Sequence, residues 1–140
     1  MTEQRVAAGQ SLRVLRIMFI AFLVHMVMVI LLAEYLQKGP VRKLDEFYYG
    51  IAGIAVLEFL IAMFVRSKLD PTYDSLRLNP DDKSALAGRN RWHIILFAVS
   101  ESVVLLGFAL RFLGTPLTYC VPFYVAGVLL LLLCAPRKLD

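Results

Sequence analysis

The sequence predicts an all-α integral membrane protein built as a four-transmembrane-helix bundle. Of its 140 residues, 59% are hydrophobic and only 19% are charged, and the mean hydropathy is +0.69, unlike the usage of soluble domains. The charges also separate four apolar tracts, each about the 17 to 25 residues that a helix needs to cross a bilayer core. The tracts lack period-two alternation, and four strands cannot close a barrel in lipid, so spanning strands are disfavoured.

The first predicted helix covers residues 14–36 and follows the basic residues Arg5, Arg13 and Arg16. A signal peptide is the alternative for such a segment. Its apolar run is longer than a signal-peptide core, and no A-x-A-like cleavage site follows it before Glu34. We therefore expect a retained membrane helix.

The other predicted helices and their connections follow from the remaining charges and from turn residues. A Gly39-Pro40 turn follows the first helix. Within the longest connection, Asn79 and Pro80 read as the N-cap and first position of a helix, which predicts that the third helix begins before the membrane. The predicted segments are helices at 46–66, 90–113 and 119–135 and a cytoplasmic loop at 67–89.

The distribution of lysine and arginine predicts that both termini are cytoplasmic, an N-in/C-in topology. The excess of basic residues on one side is typical of segments beside anionic lipid and does not favour nucleic-acid binding. Eleven of the fifteen basic residues fall on that side, leaving Lys38, Arg42, Lys43 and Arg111 outside. The expected location is the cell (inner) membrane, as a single multi-pass domain spanning 1–140.

Three ionisable residues lie inside the apolar tracts at a similar depth. Glu58, Glu101 and His25 each lie about 12 to 15 Å along a helix from its cytoplasmic end. An unpaired charge at this depth costs at least about 2.5 to 3.5 kcal/mol, so such groups usually face protein or are neutral. Both glutamates are therefore expected to face the bundle. The alternative to a functional role is structural, with each acid fixing helix packing through a hydrogen bond.

Helical spacing supports the inward orientation of these acids. Ile51, Ala55, Glu58, Ala62 and Val65 recur at steps of three and four, which is one packing face of the second helix. Small residues beside an acid allow another backbone to approach closely.

The stretch Val99–Gly107, "VSESVVLLG", is similar to the ion-carrying outer helix of the ATP synthase c subunit, the rotor-ring proteolipid. That family has a mid-membrane carboxylate with a glycine six positions later, as Glu101 and Gly107 stand here. Sodium-binding members have a valine two positions before the glutamate and a serine directly after it, which Val99 and Ser102 match. The first and fourth predicted helices have no counterpart in a single c-subunit hairpin.

The resemblance implies that Glu101 carries a proton or sodium ion. It also implies that Glu58 takes the place of the helix-one side chain that supplements the ion site in sodium-type members. The sequence "RLNP", Arg77–Pro80, would correspond to the family's cytoplasmic arginine-proline turn. The family implies an oligomeric ring as the working assembly.

Two functions remain open from these residues. In the first, a proteolipid-like protein binds a proton or sodium ion through Glu101, aided by Glu58, Ser100 and Ser102, within an oligomer or larger complex. In the second, the chain is an accessory subunit of a membrane complex for electron transfer or pigment binding. Its buried polar groups then pack helices, and His25 ligates haem or chlorophyll.

His25 and His93 have simpler alternatives. His25 is equally consistent with a hydrogen bond to one of the mid-membrane glutamates. His93, beside Trp92 at the predicted interface, is expected to extend its imidazole toward water.

Other function classes find no support in the sequence. There is no catalytic triad, phosphate-binding loop or nucleotide motif, so an enzyme is not expected. Cys120 and Cys134 lie about 21 Å apart along one helix, so they are not expected to form a disulfide, and no zinc motif is present. The expected partners are the lipid bilayer and other membrane subunits or further copies of the chain.

Overall fold

The computed structural model describes residues 2–37, 45–80 and 82–137. The all-α prediction is confirmed, because these residues form four helices joined by short connections. The predicted Gly39-Pro40 turn lies outside the described residues. The first helix begins at Thr2, earlier than predicted. The helices are α1 (Thr2–Leu36), α2 (Asp45–Leu78), α3 (Lys83–Phe112) and α4 (Leu117–Leu133).

The predicted cytoplasmic loop at 67–89 is wrong, because most of it is helical. Helix α2 continues through Pro71 to Leu78. The charged residues after the apolar tract suggested an end near residue 66, and Pro71 lacks the N–H that a helix interior needs. The continued helix buries Leu69 and Leu76. Burial of a leucine contributes about 1.5 to 3 kcal/mol, comparable to the cost of an interior proline.

Helix α3 begins at a different residue from the one that the sequence predicted. Asp82 is the N-cap, and its carboxylate accepts hydrogen bonds from the Ser84 N–H at 2.8 Å and the Ser84 hydroxyl at 2.7 Å. The hydrogen bond from the Ser84 hydroxyl is the main reason that the Asp82 pKa lies below its usual value. Asn79 instead closes the last turn of α2. The prediction that α3 begins before its apolar tract is confirmed.

Helix α3 is the central element, with the other three helices packed around it. In its most apolar stretch 44% of residues are buried inside the protein, against 17% in α1 and α2. Helix α4 approaches α3 most closely at two glycines. A Cβ atom at Gly127 would lie 2.7 Å from the Ser100 carbonyl oxygen, and one at Gly107 would lie 2.7 Å from the Tyr124 ring.

The turn between α3 and α4 is tight. Gly114 has a φ of 93°, which glycine adopts without steric cost. The N–H of Thr115 donates to the Leu110 carbonyl at 3.1 Å, and that of Gly114 donates to the Arg111 carbonyl at 3.0 Å. These bonds satisfy carbonyls at the end of α3, as helix-ending glycine motifs do.

Three helices are long and apolar enough to cross a membrane by length and composition. Their apolar tracts lie in Gly9–Leu36, Phe47–Leu78 and Lys83–Phe112, whereas the apolar helix α4 has 17 residues. The outer faces of α1 and α2 expose many large apolar side chains, among them Ile20 and Leu60. Apolar outer surfaces of this extent are consistent with a membrane protein.

Candidate functional site

Three consecutive polar residues of α3 have three different hydrogen-bond or ion-pair partners. Successive residues in an α-helix are about 100° apart, so Ser100, Glu101 and Ser102 fan out around the central helix. The structure directs Glu101 toward α1 and Ser102 toward α2. The Ser100 hydroxyl donates to the Leu96 carbonyl at 2.7 Å within α3 itself. The central position of α3 is what gives each polar residue a separate neighbour.

Glu101 pairs with His25 of α1. The His25 Nδ1 atom contacts the Glu101 carboxylate oxygen Oε1, and the two side chains are 57% and 21% exposed. A ring nitrogen and a carboxylate oxygen in contact hold one proton between them, because two lone pairs would repel. The sequence alternative of a hydrogen bond from His25 to a mid-membrane glutamate is therefore confirmed. The pair lies in the apolar stretch of both helices.

Glu58 pairs with Ser102 across the α2–α3 contact. The Ser102 hydroxyl donates to Glu58 Oε1 at 2.5 Å. The other carboxylate oxygen of Glu58 is buried and has no hydrogen-bond partner. Ala62 and Ile51, on the same helical face, are buried, so the predicted inward orientation of this face is confirmed. A buried carboxyl oxygen without a hydrogen-bond partner is unfavourable, so this contact satisfies only half of the Glu58 carboxyl group.

The four predicted ion-binding residues are not brought into one cage. Glu58 shares a hydrogen bond with Ser102, Glu101 contacts His25, and Ser100 bonds within its own helix. Within the described ranges, no three His, Cys, Asp or Glu side chains gather as metal ligands. Hard cations are bound by several oxygen atoms at once, whereas a proton needs only one donor and one acceptor. The arrangement is therefore better suited to a proton than to sodium.

A second polar cluster lies at the charged end of the bundle, and the sequence analysis missed it. Arg89 is 0% exposed and His93 is 2% exposed, so the prediction that His93 extends toward water is wrong. The Tyr73 hydroxyl lies 3.1 Å from His93 Nε2. Arg89 Nη2 donates to the Ser11 hydroxyl at 2.9 Å, and Ser11 donates to Asn90 at 2.9 Å. These bonds connect α1, α2 and α3.

The cluster escaped the sequence analysis for a specific reason. Arg89 was counted with the juxtamembrane charges, and Tyr73 lay in a segment predicted to be a loop. The signal that could have found the cluster is spacing, because Arg89 and His93 are four residues apart and lie on one helical face. Asn90 adjoins them.

A charged pair links α1 and α3 at the opposite end of the bundle. Arg111 donates to both carboxylate oxygens of Glu34, at 2.8 and 2.9 Å. The Arg111 side chain also donates to the Thr115 carbonyl at 3.1 Å. Two parallel bonds of this kind fix geometry better than a single contact. Arg111, predicted as an outer loop charge, thus has a structural role at a helix end.

The two cysteines are free and buried at opposite ends of α4, so the prediction that they do not bridge is confirmed. Comparison of the chain with family models, with characterised proteins and with solved structures finds no match. The similarity of Val99–Gly107 to the ATP synthase c subunit stays a prediction.

Proposed function

We propose that this protein is a non-enzymatic integral membrane subunit that binds and releases a proton at the His25–Glu101 pair within an oligomer or larger complex. The observation that carries the proposal is the contact between His25 Nδ1 and Glu101 Oε1 inside the apolar stretches of α1 and α3. Ionisable groups inside membrane helices are costly, and they often mark proton or ion pathways.

The chemistry of the pair supports proton exchange. A neutral imidazole beside a protonated carboxylic acid and an imidazolium beside a carboxylate differ only in the position of one proton. An imidazole titrates near neutral pH in its unperturbed state, and a low dielectric raises the cost of separating the charges. Glu58, bonded to Ser102, supplies a second protonatable group on the neighbouring side of α3.

The exposure of His25 supports a partner. Its imidazole is 57% exposed, on a helix whose outer face is otherwise apolar. A polar ring nitrogen facing hydrocarbon loses hydrogen bonds to water without replacement. A neighbouring subunit or second copy that covers His25 would remove this cost. We therefore place the partner on the α1 side of the bundle.

In this proposal the chain crosses the cell (inner) membrane four times. Both termini lie in the cytoplasm. The basic residues at the ends of the apolar tracts support this orientation. Helix α4 has 17 residues, about 26 Å at the helical rise, which is close to the thickness of a hydrocarbon core.

Carbodiimide modification tests the proton site. A carbodiimide reacts with protonated carboxylic acids in apolar surroundings, so Glu101 should be modified and the reaction should slow as pH rises. His25→Gln removes the ring nitrogen that shares the proton with Glu101, so Glu101 should be labelled faster than in the wild-type protein at the same pH. Glu34, held by Arg111 as a carboxylate, is the control and should stay unmodified. Equal labelling of both glutamates at every pH contradicts the proposal.

A paired substitution separates proton binding from helix packing. Glu101→Gln keeps the shape and a polar group, so folding should persist while infrared spectroscopy loses the pH-dependent carboxyl band. Glu101→Leu should lose the same band and also the contact to α1. If Glu101→Gln leaves the carboxyl band and every partner interaction unchanged, the acid has only a structural role. Sodium should not protect Glu101 from carbodiimide if the bound ion is a proton.

A second candidate function is haem or chlorophyll binding at His25. One feature of the geometry favours this function. His25 Nδ1 contacts the Glu101 carboxylate, so Nε2 of the exposed His25 ring is the nitrogen that would bind a metal. Metal-ligating histidines usually bond through their other nitrogen to such a group. The absorbance spectrum of the purified protein decides between the two, because a Soret or chlorophyll band that His25→Ala removes would favour the pigment.

A further inference from the structure

The charged end of the bundle contains a cleft between α2, α3 and the end of α4. It has a volume of about 20 Å³, room for one water-sized group. Three of its polar residues differ in depth: His93 is buried at its base, Arg66 is half-buried and Arg137 is exposed. Asp70 is the carboxylate on its wall.

Beneath the cleft, His93 has a buried hydrogen-bond donor without an acceptor. The Arg137 backbone N–H donates to the Tyr73 oxygen at 3.3 Å, which leaves the Tyr73 hydroxyl proton for His93 Nε2. In the tautomer that accepts this proton, His93 Nδ1 carries a hydrogen. That Nδ1 atom is buried and has no partner. A buried donor without an acceptor is unfavourable, and it adds positive polarity beside the cleft.

Positive charge behind the cleft is also unbalanced. Two guanidinium nitrogens of Arg89, Nε and Nη1, are buried without partners. Within the described part of the chain, Arg89 has no carboxylate partner, and its charge acts on both His93 and Tyr73. Counting Arg66 and Arg137, three arginines surround the region against the single carboxylate of Asp70. The cleft therefore favours an anion.

The depth of the cleft indicates the kind of anion. On α2 the apolar tract ends at Val65, directly before Arg66, and the apolar run that includes α4 ends at Pro136, directly before Arg137. On α3 the apolar tract begins after Arg91. The cleft thus lies where three helices pass from apolar to polar residues. In a bilayer this is the level of the lipid phosphates, where basic residues meet anionic headgroups.

We propose that this cleft binds the phosphate group of an anionic phospholipid. Arg66 and Arg137 bind the phosphate oxygens at the mouth of the cleft, and the buried charge of Arg89 behind His93 favours the anion. Arginine suits this role because its planar fork matches phosphate geometry. The site is independent of the His25–Glu101 pair, so its failure would leave the proposed proton function unaffected.

Lipid binding to the intact protein tests the site. The full chain in neutral detergent is titrated with short-chain phosphatidylglycerol and, separately, with phosphatidylcholine, and the bound lipid is counted by native mass spectrometry. The double variant Arg66→Gln and Arg137→Gln removes two charges from the cleft. The control variant, Arg77→Gln with Arg91→Gln, removes two charges from exposed positions outside it.

We expect the cleft variant to bind phosphatidylglycerol at least about tenfold more weakly, since each charged hydrogen bond contributes about 1.5 to 3 kcal/mol. The control should change less than about threefold, and phosphatidylcholine should bind weakly to both. Circular dichroism checks that each variant keeps its helices.

A competition arm identifies the source of the phosphate. If inorganic phosphate binds alone and loses affinity only in the cleft variant, the site takes a phosphate group from solution as well as from lipid. If inorganic phosphate does not compete, the lipid is the occupant. Equal loss of phosphatidylglycerol binding in the cleft and control variants overturns the proposal, because net charge alone would then explain it.

Discussion

Two closely packed glycines and three open ones among the described helical residues allow a matched test of the helix packing. At Gly127 of α4, a Cβ atom would lie 2.5 Å from Val104 Cγ2 and 2.7 Å from the Ser100 carbonyl oxygen. At Gly53 of α2, a Cβ atom would meet nothing within 4 Å. Gly127→Ala and Gly53→Ala are therefore the same chemical change in opposite surroundings.

The two substitutions are expected to change the free energy of unfolding in opposite directions. Alanine favours a helix over glycine by about 1 kcal/mol, so Gly53→Ala should stabilise the protein by up to that amount. At Gly127 the same gain is offset by overpacking, which costs about 1 to 3 kcal/mol. The upper part of this range applies because a backbone carbonyl moves only if α3 and α4 separate. The net loss should be about 1 to 2 kcal/mol, a gap of about 2 to 3 kcal/mol between the variants.

Reversible unfolding from mild detergent into dodecyl sulfate measures this gap. Trp92 is the single tryptophan and lies in α3, so its fluorescence reports on the central helix, and circular dichroism reports on total helix. The reasoning is refuted if Gly127→Ala is as stable as Gly53→Ala, or if Gly53→Ala is the more destabilising of the two.

Three further outcomes are expected. A cysteine placed at Thr118 should react with an impermeant reagent outside intact cells and one at Ser84 should not; the reverse pattern would invert the topology. Tyr73→Phe leaves His93 Nε2 without its partner and should cost about 1 to 3 kcal/mol of stability in the same unfolding assay, and an unchanged stability would argue against that bond. The lowered pKa of Asp82 means that its cap stabilises α3 above the ordinary carboxyl pKa and is lost as pH falls through the folded value. The protection factor of the Ser84 amide, its exchange relative to an unstructured amide at the same pH, should therefore fall in acid, and Asp82→Asn should remove that pH dependence; a loss of protection in acid that persists in Asp82→Asn would exclude the carboxylate as its cause.

The inward face of α2 shows how much local spacing can predict. The recurrence of Ala55, Glu58 and Ala62 identified one face of a helix, because side chains three and four residues apart share a side. The structure packs this face against α3 and pairs Glu58 with Ser102. Spacing within one helix carries no information about the neighbouring helix. The sequence therefore could not predict that the partner of Glu58 would be a serine of α3.

The ends of the helices show where local information was insufficient. Charges at 66–70 and Pro71 predicted the end of α2, yet the helix continues to Leu78. Contacts of Leu69, Leu76 and Tyr73 with the rest of the bundle favour the helix there. Propensity is a weak preference that such packing overrides.

The sequence by itself determined the helical class, the apolar tracts and the presence of ionisable groups within them, because these depend on composition and on the period of one helix. Only the tertiary structure decided that α3 is central and that Glu101 meets His25 rather than Glu58. It also decided that Arg89 and His93 are buried. The physical reason is that burial and pairing depend on which helix lies beside which, and this is set by close packing at sites such as Gly107 and Gly127.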